Sequence, residues 1–138
     1  MNEKFLFQIK EDLNMDVNIL LLETAEYCNV LGFAIPKWNN NNLVEALDIK
    51  MDYLRIKRFQ IFSILDKEIS YNAHSIVICE QPFHELRETL IHEWIHTVDM
   101  DVHGADKWIA NCDTYADKDY THTTPTWRKM SKQFGINK

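Results

Sequence analysis

The most regular run of apolar positions lies between Phe83 and Asp99. Leu86, Leu90, Ile91, Trp94, Ile95 and Val98 recur at helical spacing, while Glu85, Glu88, Thr89, His92, His96 and Asp99 share the narrow sector that is left. Pro82 stands ahead of the segment, and no further Pro and no Gly interrupts it. Glu85 and Glu88 fall early, where negative charge suits a helix dipole. The pattern predicts a core helix with one polar seam, ending near Asp99 to Val102.

The remaining segments are read the same way. Val17, Leu20, Leu21, Cys28 and Leu31 repeat at helical spacing, with Asp16 as a cap and Gly32 as a stop, so Val17 to Leu31 is expected to be a helix packed over the first. Pro36 and the run Asn39 to Asn42 mark a loop. Between Leu43 and Ile56 two periods coexist: Leu47, Ile49, Met51 and Tyr53 alternate as in a strand, whereas Leu43, Leu47 and Leu54 suit a helix, and both stay open. Arg58 to Leu65 and Ser75 to Cys79 are expected to be strands. A closing helix is expected with Thr124 as cap, Pro125 in its first turn and Gly135 as its stop. The fold class is α+β: one domain, residues 1–138, with a small sheet on the histidine-bearing helix and flanking helices.

Composition narrows the function. The net charge of −6 argues against a general nucleic-acid surface, because phosphate binding needs clustered Lys and Arg. Lys50, Arg55, Lys57 and Arg58 form the densest basic group and are most simply a solvated face. Cys28, Cys79 and Cys112 are odd in number and widely spaced, which excludes a disulfide framework or a four-cysteine metal ribbon and leaves them as small packing residues. The start lacks a signal-peptide pattern and no stretch reaches membrane-span length, so a cytoplasmic protein without a membrane partner is expected.

The chemistry concentrates in His92-Glu93-Trp94-Ile95-His96. Two histidines four apart stand one above the other on a helix and can reach one ion, with Glu93 beside the first as a base. Chance produces such a pattern in a chain of this composition with odds on the order of two per cent, so coincidence is the weaker reading. A buried seam holding two imidazoles also needs partners for them, and a metal supplies one to each. A hydrolytic zinc needs a third protein ligand and one position for water. His103, followed by Gly104, is preferred because the connecting loop is short; His122 is the alternative.

The segments Leu90 to Thr97 and His103-Gly104-Ala105-Asp106-Lys107-Trp108 resemble the SprT-like zinc metallopeptidases, a HExxH helix followed by a His-Gly pair and an aromatic residue. His122, leading into Thr124 to Met130, is also similar to the last histidine of that family. The resemblance covers about residues 86 to 108. It implies a zincin-like domain, Zn2+ held by His92, His96 and His103, and Glu93 as the catalytic base of peptide-bond hydrolysis. It further implies a protein or peptide substrate, and in zinc peptidases generally such a substrate pairs with a sheet edge, for which Ala73 to Glu80 is the candidate, with an interior strand as the equal alternative.

With three neutral imidazoles on a dipositive ion, water becomes acidic near neutral pH and Glu93 would take its proton and pass it to the leaving amine. Tyr115, Tyr120, His122 and Arg128 are possible donors to an oxyanion, each more simply structural. Asp99 could orient a ligand imidazole or be a solvated acid. His74 and His84 read as surface or packing residues. Two other functions compete: a zinc-stabilised binding module that no longer cleaves, for example a phage-type binder of a host factor, and a DNA-associated crosslink protease.

Overall fold

In the computed structural model, residues 2–24, 31–43, 45–47, 59–64, 69–103 and 122–136 are described. In chain order they form α1 (Asn2–Asp12), β1 (Val17–Thr24), β2 (Gly32–Ile35), a 3₁₀ turn over Lys37–Asn42, β3 (Phe59–Ile64), β4 (His74–Cys79), a 3₁₀ turn over Phe83–Glu85, α2 (Leu86–His103) and α3 (Pro125–Gln133). The strands make one mixed sheet in the order β2-β4-β1-β3. β1 and β4 run parallel in its middle, and β2 and β3 flank them antiparallel. The architecture is α+β, and no helix among the described residues is long and apolar enough to cross a membrane.

Where a helix is expected from Val17 onward, the chain forms the central strand β1. The reason is burial on both faces. Val17, Ile19 and Leu21 enter the core beneath the helices, whereas Leu20 and Leu22 enter a second core on the opposite face with Phe33, Ile35 and Leu47. A doubly buried strand reads as a continuous apolar run, which satisfies a helical period as easily as any other. Gly32, the expected helix stop, instead opens β2. β4 alternates in the same manner, Ile76 and Ile78 toward the helices, Val77 and Cys79 away. It is an interior strand, so of the two readings of Ala73 to Glu80 the edge strand is the one that falls. The two strands expected near Arg58 to Leu65 and Ser75 to Cys79 are present as β3 and β4.

Helix ends fix how the helices meet the sheet. α1 closes with Asn14 at φ 50, and the Met15 and Asn14 amides donate to the carbonyls of Lys10 and Glu11, a left-handed reversal that returns Met15 to the core. α3 ends alike: Gly135 at φ 72 lets the Ile136 amide reach the Ser131 carbonyl at 2.7 Å, and Ile136 is buried beside Trp127. At its start Thr124 caps the helix by accepting from the Trp127 amide at 3.1 Å, with Pro125 in the first turn, as the sequence predicts. α2 buries Leu86, Leu90, Ile91 and Ile95 against the sheet and Leu6 of α1. Each such side chain is worth about 1.5–3 kcal/mol of burial, which anchors the helix that carries the polar seam.

The 3₁₀ turn takes the place of the expected loop after Pro36, and helical backbone continues at 43 and 45–47. The rest of the ambiguous stretch to Ile56, the basic group at Lys50 to Arg58, Cys28, Cys112, Tyr115, Tyr120 and the residues Gly104 to Trp108 lie outside the described residues. Cys79 is buried in the second core, consistent with a packing role.

Candidate metal centre

Beyond the exposed Glu88, the polar side of α2 turns into the protein. Thr89, Glu93, His96, Thr97 and Asp99 are all buried there, and His92 is partly so. His92, His96 and His122 come together, each offering one ring nitrogen, with all three ligand atoms within 4.8 Å of one another. They lie close enough to hold a metal ion. His92 and His96 meet because four residues make just over one helical turn. His122 arrives from the segment before α3, where the cap at Thr124 begins the last helix.

The expected partner His103 is placed differently. α2 does not stop near Asp99 to Val102 but runs through His103, so no reversal of the chain precedes it. At about 1.5 Å per residue, its backbone lies roughly 10 Å farther along the axis than His96. Among the described residues, His122 completes the cluster in its place.

One donor pair already has the spacing that a small tetrahedral cation requires. The Nε2 atoms of His92 and His122 are 3.2 Å apart. Two nitrogens bound at about 2.05 Å with tetrahedral angles stand about 3.3 Å from each other. Burial and the neighbouring His122 lower the His92 pKa to about 4, and burial followed by proximity to His92 and His122 holds His96 well below its ordinary value. Both rings are thus neutral at physiological pH, the form that ligates metals.

Trp127 closes the site from beneath. Its indole stacks on His96 at 5.1 Å with the planes 14° apart, and meets His92 and His122 nearly edge-on, each with ring centroids at 4.8 Å. One apolar ring therefore braces all three imidazoles and keeps water from that side. On another flank, Glu93 Oε2 lies 3.9 Å from His92 Nε2, and the glutamate side chain is only 11% exposed.

The strand β2 also touches this flank. A Cβ built on Gly32 would stand 2.8 Å from the Val77 carbonyl oxygen, 3.0 Å from Thr89 Cγ2 and 3.3 Å from Glu93 Cγ, so a glycine lets the strand lie directly against the glutamate's helix. Gln81 fixes this arrangement. Its amide donates to the carbonyls of Leu31 and Cys79, and its oxygen accepts from Thr89 at 2.6 Å. The sequence assigns no role to Gln81 and reads Gly32 only as a helix stop, and only the place of Gln81 just after a strand-like run hints at its contact.

Of the other candidates, Arg128 is exposed on α3 and His84 is exposed, as a surface residue should be. His74 is more than packing: Nδ1 accepts from the Lys37 amide at 2.9 Å, and Nε2 meets Asp101 Oδ1 at 2.8 Å. Asp99 is fully buried and accepts from the Thr124 hydroxyl at 2.7 Å, so it is no solvated acid. Compared with family models, curated proteins and solved structures, the chain finds no match.

Proposed function

We propose that the protein is a zinc-dependent metallopeptidase in which His92, His96 and His122 hold the metal and Glu93 is the general base. The observation that carries this reading is the convergence of three imidazoles beside a buried glutamate on one helix. Bound zinc would supply Lewis acidity toward water and toward the scissile carbonyl. Glu93 takes a proton from the attacking water and returns it to the departing amine, which balances the hydrolysis. His92 and His96 are held in the neutral form that ligates metals, and the Trp127 indole lies against all three rings. His122 acts here as ligand, so the role of oxyanion donor is not assigned to it.

The resemblance to SprT-like peptidases points to a polypeptide substrate. The outer edge of β2 has no strand partner among the described residues and begins at Gly32 against Glu93. An extended peptide adding there would present its backbone to the base, with main-chain hydrogen bonds giving affinity. This replaces β4 as the substrate-pairing strand.

The test is Glu93→Gln in zinc-loaded protein, assayed on unfolded casein and a library of quenched fluorescent peptides. The wild type should cleave and lose activity to a chelator. The variant should lose about 10²–10⁴-fold in rate with zinc content unchanged. A wild type that holds stoichiometric zinc yet cleaves nothing would make the ion structural, the property of a binding module.

A further inference from the structure

Asp99 lies one turn beyond His96 on α2, fully buried, and its Oδ2 accepts the Thr124 hydroxyl proton at 2.7 Å. That hydroxyl has a single hydrogen, so its interaction with the Trp127 amide at 3.1 Å must use a lone pair. Thr124 thus receives from α3 and donates to α2 through one oxygen. Its two sequence neighbourhoods both reach the metal cluster: His122 stands two residues before it, and Trp127, three residues after it, touches all three imidazoles. The bond joins the element that carries His92 and His96 to the segment that carries His122.

We infer that Asp99 and Thr124 are positioning residues for His122: their hydrogen bond pins the segment before α3 onto α2 and so sets where the third imidazole and the Trp127 indole stand. The inference rests on the proposed metal-holding role of the three histidines. Asp99 acts through the Thr124 hydroxyl, and its effect on the cluster passes through the backbone from 122 to 127. Two ligands on one helix need no such device, because helical geometry already sets them. A third ligand from a separate segment does, since its placement depends on the contact between two elements.

The experiment measures Zn2+ affinity by chelator competition in the full chain for Thr124→Val, Thr124→Ser and Asp99→Ala, each also in a His122→Ala background. Thr124→Val and Asp99→Ala should weaken the intact site by about 10-fold or more, and Thr124→Ser should stay within about threefold of wild type. With His122 removed, the same changes should alter affinity less than about twofold, because the positioned ligand is gone. Asp99→Ala leaves the Thr124 cap of α3 in place, so it carries the test if Thr124→Val does not fold. Proton NMR of the metal-free protein gives a second readout: cross-relaxation between the His92 and His122 rings should disappear in Asp99→Ala and persist in Thr124→Ser. Equal weakening with and without His122, or ring contacts that survive Asp99→Ala, would overturn the inference. A wild type that takes up no metal would end the metal reading while the ring contacts still decide the role of Asp99 and Thr124.

Discussion

Two places in this protein surround histidine with protein, and they use it in opposite ways. At the start of β4, His74 is 3% exposed and each ring nitrogen meets a protein group, the Lys37 amide on one side and Asp101 on the other. It fastens the last turn of α2 and the turn after β2 to the sheet. In the seam of α2, the rings of His92, His96 and His122 direct nitrogens toward one another. Burial is common to both sites. What separates the two sites is convergence: the His74 nitrogens face two different protein groups, whereas one nitrogen from each of the other three rings gathers at a single place.

The comparison breaks most sharply on metal uptake. His96→Ala should abolish stoichiometric zinc, with affinity falling more than about 100-fold, whereas His74→Ala should keep it within a few-fold; equal losses in chelator competition would erase the distinction. Stability should respond in the reverse sense. His74→Ala leaves the Lys37 amide without its acceptor and should destabilise the metal-free protein by about 2–3 kcal/mol in urea unfolding. Gly32→Ala should cost about 1–3 kcal/mol, because a Cβ 2.8 Å from a backbone oxygen forces β2 outward, and it should depress peptide hydrolysis more than zinc content.

A smaller effect, on the order of 2 kcal/mol, is expected from pH in the metal-free state. His92 titrates near 4 when folded, against 6.5 as its ordinary value. Between those values the unfolded chain binds more protons, so stability is complete above about pH 6.5 and declines as pH falls toward 4. The figure is discounted for the partial exposure of the ring. His92→Ala should flatten this decline. His84→Ala, on an exposed ring, should change stability by less than about 0.5 kcal/mol and serves as the baseline.

How much of this was legible beforehand depends on whether the signal was local. The polar seam of α2 and the cap, first turn and stop of α3 are short-range patterns, and the chain follows them. The strand character of β1 was hidden because Ile19 to Leu22 are buried from both sides, a property of the helices on one face and of the second core around Leu47 on the other rather than of the segment itself. α1 carried too short and mixed a pattern to be noticed. The preference for His103 over His122 assumed that α2 ends before His103. No breaker stands between Asp99 and His103, so the helix continues, and proximity in sequence became distance along its axis. Asp99 and Gln81 matter through partners far away in the chain, Thr124 and Leu31, which periodicity does not register.

Because two of the converging rings ride on α2 and the third belongs to the segment before α3, an ion held by all three would clasp the stretch of chain from 96 to 122 into a closed loop. Like a covalent crosslink, such a clasp lowers the conformational entropy of the unfolded chain and so raises stability without adding a contact to the apolar core. The ion's affinity would then be recorded in the rate at which the molecule opens, and a chelator would shorten the protein's lifetime in denaturant even where no substrate is present.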